Sequence, residues 1–262
     1  MLSTAFLSNF RRVVVTAAFV VSSLSLCVAP ANAMSVRPVI VDLGVNARTM
    51  SSNLEVSNVF TTALPVEMTV REIEFPTDIG GDPTYKPTED IIIFPPQAVI
   101  QPSQAQNFRL QYIGDPAILK SRHFVVTVAQ LPVKLPEGES AIQILYNFQI
   151  LVSVGVPALR SQLEVVSSEL TTTPQGATQA TMTVRNTAAT YGYVSDARLR
   201  INQVDAAGRQ VFQKTLSAQE VQQTVGFGLV GPGQTRKITI PVTLPNATGV
   251  VKTEILLDAR RR

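Results

Sequence analysis

The chain has 262 residues, of which 45% are hydrophobic, with 22 basic and 19 acidic side chains, one histidine, one cysteine and no tryptophan. A formal net charge of +3 provides no strong basic field, so the composition argues against a nucleic-acid-binding protein. A single cysteine excludes an internal disulfide framework.

The first 33 residues have the pattern of a secretory signal peptide. Arg11 and Arg12 precede an apolar run over 13–29, and Ala31-Asn32-Ala33 supplies the small residues that signal peptidase needs. A membrane anchor is the alternative, but the run has only 17 residues and three serines dilute it. Cleavage predicts an exported chain of 229 residues (262 less 33) with no cysteine and no stable membrane insertion.

Apolar residues recur at every second position in the following segments, which is typical of β-strands. Helical patterns are scarce, and proline and glycine interrupt the chain often. Gly80-Gly81-Asp82-Pro83 and Pro95-Pro96 predict loops. Six strands precede residue 140, and together with the strand that follows them they predict one immunoglobulin-like sandwich: 36–43, 52–59, 65–75, 90–94, 106–113 and 123–131.

The seventh predicted strand, at 141–154, is unusually long. All its even positions from Ile142 to Val154 are apolar, so one face of the strand is dry over seven side chains. Such a strand spans roughly 43 Å, whereas strands of about 17–20 Å are usual. Either another polypeptide covers the surplus, or the segment is two shorter strands with a bulge near Asn147.

A second series of shorter strands begins near residue 161 and predicts a second β-sandwich. Gly155 and Pro157 break the alternation between the two series, so we place the domains at 34–156 and 157–262. The segment 210–227 has weak helical character, and its structure is left open. Gly231-Pro232-Gly233 predicts a turn that leads into an edge or closing strand.

The order and spacing of five short motifs are informative: Leu54-Glu55-Val56-Ser57-Asn58, Phe94-Pro95-Pro96, Phe108-Arg109-Leu110, Gln130-Leu131-Pro132 and Gly231-Pro232-Gly233. With the signal peptide, they make the chain resemble the periplasmic chaperones of the chaperone-usher pilus pathway, the PapD-like family. The segment 97–112 and Tyr146-Asn147-Phe148 are similar to the branch that serves spore-coat-type or archaic pili. The resemblance implies an all-β fold of two immunoglobulin-like β-sandwich domains in an L-shaped arrangement.

The resemblance also implies donor-strand complementation. A pilus subunit lacks the last strand of its sandwich, and the chaperone lends one of its own, whose main chain pairs with the subunit while alternate side chains fill the groove. We expect the donor residues to be Ile142, Ile144, Tyr146 and Phe148, the first three overhanging the chaperone's own core. The implied partners are pilus subunits and an outer-membrane usher, and self-capping as a homodimer is left open.

Members of the family anchor the subunit's terminal carboxylate with an arginine in the first strand and a lysine in the donor strand. This chain departs from that pattern, because its donor strand contains neither lysine nor arginine. Ungapped alignment places Asp42 where the family's arginine stands, so Arg37 carries over poorly as an anchor.

Arg109 matches a family arginine that pairs with a buried glutamate, and Ser121 occupies that glutamate's position here. We hypothesise that Arg109, or neighbouring Arg122 or Lys120, binds the carboxylate of the subunit instead. The alternative is an internal ion pair of Arg109, with Asp42 or with the glutamate of the second strand, Glu55.

An enzyme is not expected, because the exported chain has one histidine, no cysteine, no metal-ligand spacing, no phosphate loop and no nucleophile elbow. We assign no catalytic residue, no metal and no cofactor, and interpret His123 as structural. The rival interpretation is a secreted immunoglobulin-like structural or adhesive pilus component. Such a subunit would carry its donor extension directly after the signal peptide, whereas the alternating strand lies mid-chain here.

Overall fold

Strands dominate the structure, and the all-β prediction is confirmed. The computed structural model describes residues 34–76, 79–133, 144–156 and 158–257. The chain from Met34 onward forms one compact unit that contains two hydrophobic cores. The predicted signal peptide lies outside the described residues, and the predicted domain boundary and L-shaped arrangement stay predictions.

The first sandwich consists of two sheets. Its strands are β1 (Ser35–Arg37), β2 (Ile40–Leu43), β3 (Ser51–Ser57), β4 (Leu64–Glu74), β5 (Thr84–Pro87), β6 (Ile91–Phe94), β7 (Gln97–Ile100), β8 (Ala105–Tyr112), β9 (Arg122–Gln130) and β10 (Asn147–Val154). In sheet one the strand order is β1-β3-β8-β6, and in sheet two it is β2-β10-β9-β4-β5, with β7 also paired to β4.

The core of this sandwich lies between the two sheets and uses the apolar face of each strand. Leu54 and Phe108 from sheet one, and Val126, Ile150 and Val152 from sheet two, have no exposed surface. Alternation therefore predicts the buried face correctly, since successive side chains leave a strand on opposite sides.

The prediction of one strand over 36–43 is wrong. The segment forms two strands, β1 in sheet one and β2 in sheet two, separated by Pro38 and Val39. Proline has no N–H to continue a ladder, so the chain can leave one sheet and enter the other at this point.

The predicted strand 141–154 is shorter than expected within the described residues. β10 begins at Asn147, residues 144–146 are not in a strand, and Ile142 lies outside the described residues. The neighbouring strand β9 ends at Gln130, and Pro132 comes two residues later. Because proline has no N–H to donate, the regular pairing between β9 and β10 stops there. The register between β10 and β9 runs unbroken from Asn147 to Val154, so this part has no bulge near Asn147.

The second sandwich has its own core. Its strands are β11 (Leu163–Thr172), β12 (Thr178–Asn186), β13 (Gly192–Tyr193), β14 (Arg198–Val204), β15 (Gln210–Leu216), β16 (Leu229–Val230), β17 (Thr235–Ile240) and β18 (Val250–Leu256). The core lies between the sheets β11-β12-β17 and β15-β14-β18, with the short pair β13-β16 as a separate sheet. Met182, Leu199 and Ile201 are fully buried in it.

The segment 210–227, left open above, contains β15 and then one helix, α1 (Ala218–Thr224). A capping box starts the helix: the Ser217 hydroxyl accepts the Glu220 N–H, and the Glu220 carboxylate accepts the Ser217 N–H. This reciprocal bonding satisfies backbone donors that a helix start leaves free.

Residues of the two sandwiches meet at an aromatic and polar junction. Asp42 on β2 accepts hydrogen bonds from the hydroxyls of Tyr191 at 2.7 Å and Tyr193 at 2.8 Å. The ring of His123 lies 4.8 Å from that of Phe75 and 5.3 Å from that of Tyr191, between centroids. Burial, and then the Asp42 carboxylate, raise the pKa of both tyrosines, so both stay protonated donors.

We expect His123 to make the stability of the protein depend on pH. Burial lowers its pKa from 6.5 to about 4, so the unfolded chain binds an extra proton between these values. The neutral, buried His123 therefore contributes up to about 3 kcal/mol to the free energy of unfolding. This contribution is fully present above pH 6.5 and is lost as the pH falls through 4. Urea unfolding of wild type and His123→Asn at pH 7 and pH 4 measures this, and equal losses in the two proteins would contradict it.

Candidate functional site

β10 is paired along its whole length on one side but only along half of it on the other. β9 pairs with every residue from Asn147 to Val154. β2 pairs in parallel with Leu151–Val154 only, because it begins at Ile40. In the described part of the chain, no strand lies beside Asn147–Ile150 on that side, which we call the open edge.

The hydrogen-bond pattern fixes which backbone groups face the open edge. The Gln130 N–H donates to the Tyr146 carbonyl at 2.9 Å, and the Leu151 N–H donates to the Val39 carbonyl at 3.2 Å. Because an antiparallel ladder alternates, even-numbered residues bond to β9 and odd-numbered residues point the other way. The N–H and C=O groups of Asn147 and Gln149 therefore face the open edge, and no described residue pairs with them.

The apolar side chains of this segment emerge gradually from the core. Ile150 is fully buried, Phe148 and Tyr146 are half-buried against the core, and Ile144 is 67% exposed. The Tyr146 ring packs against Phe60 with 5.8 Å between centroids. The predicted donor residues Ile144, Tyr146 and Phe148 thus lie beside the open edge with increasing exposure toward the N-terminal end.

Arg122, the first residue of β9, is partly buried and bonded to two carboxylates. Its Nε and Nη2 atoms donate to the two carboxylate oxygens of Glu72, each at 2.8 Å, and Nη2 also lies 2.6 Å from Asp90 Oδ2. The bond to Glu72 raises the pKa of Arg122 further, so the guanidinium stays charged. This network already satisfies the fork of Arg122, which leaves it poorly placed to take a carboxylate from a partner.

Arg109 faces solvent on the outer side of sheet one. Its Nη2 donates to the Ser51 hydroxyl at 3.3 Å, and it forms an ion pair with neither Asp42 nor Glu55. Asp42 bonds to the two junction tyrosines instead. The open edge belongs to sheet two, so Arg109 and the predicted donor residues lie on different sheets.

Lys120 and Arg37 have different surroundings. Lys120 is exposed and lines a cleft of about 430 Å³, together with Glu74, Ser121 and the turn at 231–233. Arg37 ends β1, two residues before Val39, whose carbonyl bonds to Leu151. Of the four predicted basic residues, Arg37 is the one nearest in the chain to Val39, which bonds to β10 just after the open edge ends. The sequence alignment argues against Arg37 because it places Asp42 at the position of the family's arginine, but Asp42 bonds to the two junction tyrosines.

The described residues contain no helix that is long and apolar enough to cross a membrane. Within the same ranges, no group of three or more His, Cys, Asp or Glu side chains could hold a metal ion.

No family model matches the chain, and no curated protein matches it in sequence. Among solved structures, it is similar to the CsuC–CsuE chaperone–tip adhesion subunit pre-assembly complex from archaic chaperone-usher Csu pili of Acinetobacter baumannii, with 16% identity and a TM-score of 0.48 over 86% of this chain and 98% of that one.

It is also similar to the Salmonella enterica SafA pilin in complex with the SafB chaperone, with 14% identity, a TM-score of 0.47 and coverage of 81% and 86%. A third similar structure is the Pseudomonas aeruginosa CupB2 chaperone, with 14% identity, a TM-score of 0.44 and coverage of 85% and 99%. At these identities and TM-scores the likeness carries no conclusion about what this chain binds.

The open edge predicts an alternation in amide exchange along β10. The N–H groups of Phe148 and Ile150 bond to β9, whereas those of Asn147 and Gln149 face solvent. We expect the two odd-numbered amides to exchange at least about a hundredfold faster than their even-numbered neighbours. Hydrogen exchange by NMR on the free protein measures this, and uniform protection from 147 to 150 would show that something already pairs with the edge.

Proposed function

We propose that this protein is a periplasmic chaperone of pilus subunits that lends the open edge of β10 to an incomplete sandwich. The observation that carries the proposal is the half-paired strand, in which unpaired backbone groups and emerging apolar side chains occur together. Strand addition needs both features, since main-chain bonds give affinity and alternate side chains give specificity.

Stable binding of a subunit requires main-chain hydrogen bonds as well as the burial of apolar side chains. Burial of three donor side chains, those of Ile144, Tyr146 and Phe148, contributes about 5–9 kcal/mol at most. Association costs about 4–15 kcal/mol in lost freedom, so side chains alone do not hold a subunit. The free N–H and C=O groups of Asn147 and Gln149 supply further bonds to a partner strand.

The position of Arg37 supports it as the anchor for a subunit's carboxylate. It is exposed, it makes no ion pair within the described residues, and it lies two residues before Val39, whose carbonyl bonds to Leu151 just after the open edge ends. Lys120 is the second candidate, since it lines the cleft at the other end of β9.

Export through residues 1–33, delivery to an outer-membrane usher and self-capping as a homodimer also belong to this proposal. Export follows from the signal pattern, and the usher follows from the family resemblance. The same open edge is available to a second copy of the chain, which would protect it in the absence of a subunit.

The first test is co-expression with a pilus subunit of the same organism, where we expect a soluble one-to-one complex. Ile144→Asp should weaken this complex about tenfold or more, because it removes an apolar contact of about 1.5–3 kcal/mol. Val250→Asp is the matched control, because Val250 is an apolar side chain on the second sandwich with 64% exposure against 67% for Ile144. Equal effects of the two substitutions, or no complex with wild type, would reject the proposal.

The second test concerns the main chain of the open edge. Gln149→Pro removes an N–H that makes no internal bond, so we expect the fold to persist while subunit affinity falls at least about tenfold. Gln149→Ala keeps the N–H and serves as the control. Isothermal titration with the purified subunit measures both, and wild-type affinity in the proline variant would exclude strand pairing at this edge.

The third test concerns the carboxylate anchor. Arg37→Gln should weaken subunit binding about 10- to 100-fold, because it removes a charge-assisted hydrogen bond of about 1.5–3 kcal/mol. Arg48→Gln also removes an exposed charge, from a turn of the same sandwich, and should have no effect. If Lys120→Gln weakens subunit binding and Arg37→Gln does not, the anchor is Lys120 in the cleft and not Arg37.

A further inference from the structure

A second exposed apolar surface lies on the outer side of sheet one, away from the open edge. Phe94 is 74% exposed, Ile113 51% and Ile92 46%. Phe94 lies directly opposite Arg109 in the sheet and Ile92 opposite Gln111, so these side chains share one face. We call this surface the β6 face, defined by Ile92, Phe94, Arg109 and Ile113.

The charge of the β6 face comes from Arg109. This arginine makes no ion pair within the described residues, and its side-chain bond is to the neutral Ser51 hydroxyl. Asn53, its other neighbour across the sheet, is also neutral. An exposed guanidinium beside the apolar ring of Phe94, with no ion-paired acid in the described chain, is suited to a carboxylate from another molecule.

The backbone beside this face is also unpaired. β6 is the last strand of sheet one and pairs only with β8 in the part of the chain that the structure describes. The Ile113 N–H donates to the Asp90 carbonyl at 2.8 Å, which sets the alternation of this ladder. The N–H and C=O groups of Ile91 and Ile93 therefore point away from β8, toward a free edge.

We propose that the β6 face binds an extended segment of a partner protein, in which apolar residues alternate on one side with a single aspartate or glutamate. The segment pairs with the edge of β6, its apolar side chains cover Phe94 and Ile92, and its carboxylate bonds to Arg109. Neighbouring strands lie about 4.8 Å apart, so the arginine side chain needs to cross only one strand to meet that carboxylate.

This site is independent of the subunit site proposed above. β6 belongs to sheet one and the open edge to sheet two, so one molecule of the protein has room for both partners. The partner at β6 is recognised by charge, whereas Asn147–Val154 contains no charged side chain. Failure of one proposal therefore leaves the other standing.

The test uses the full exported chain and the capped peptide Thr-Val-Thr-Glu-Thr-Val-Thr as probe, with a matched peptide in which glutamine replaces glutamate. We expect NMR amide shifts in 91–94 on titration to about 1 mM, and at least about tenfold weaker binding for the glutamine peptide. Arg109→Gln should reduce the affinity for the glutamate peptide by the same factor, and Phe94→Ser should reduce it further.

Arg48→Gln is the control for net charge, and circular dichroism confirms the fold of each variant. Because the glutamine peptide tests the charge without altering the protein, the result does not depend on any variant folding. Shifts confined to Asn147–Ile150, equal binding of the two peptides, or no shifts at β6 would each overturn the proposal.

Discussion

The structure depends on one constraint, which is that the strand β10 has two neighbours along only half of its length. β2 pairs with Leu151–Val154, and Pro38 separates β2 from β1, which joins the opposite sheet. The paired half is fixed in the core, where Val152 and Val154 are fully buried. The unpaired half is therefore held in an extended conformation before any partner arrives, which lowers the entropic cost of adding a strand.

An edge of this kind is usually protected. Natural proteins place lysines, prolines or inward-pointing charges on exposed edge strands to prevent uncontrolled pairing. β10 has none of these: its sequence Asn147–Val154 is uncharged and free of proline, and its outward polar residues are Asn147 and Gln149. Because β10 lacks these protective residues, its open edge is suited to pair with another polypeptide. The proposed chaperone activity makes use of this property.

The fold could be predicted from sequence largely because alternation reports burial directly. Apolar residues alternate in the sequences of β3, β4, β8 and β9. In contrast, β5 is exposed at every residue and has no such pattern, and it forms by pairing with the long strand β4. The side-chain partnerships could not be predicted in the same way. Arg122 and Glu72 are 50 residues apart, and Asp42 and Tyr191 are 149 apart, so only the folded topology brings them together.

These long-range partnerships explain why the basic residues separate into different roles. The carboxylates of Glu72 and Asp90 bond to Arg122, and the carboxylate of Asp42 accepts hydrogen bonds from the junction tyrosines, so none of these three acids pairs with Arg109. Arg37 and Arg109 are left exposed on opposite ends of sheet one, one at β1 and the other on β8 beside the edge strand β6. The same sandwich thus has an uncharged strand edge on sheet two and, on sheet one, a face whose arginine makes no ion pair within the described residues. Because the two proposed sites lie on different sheets and differ in charge, each would select a partner of different chemistry.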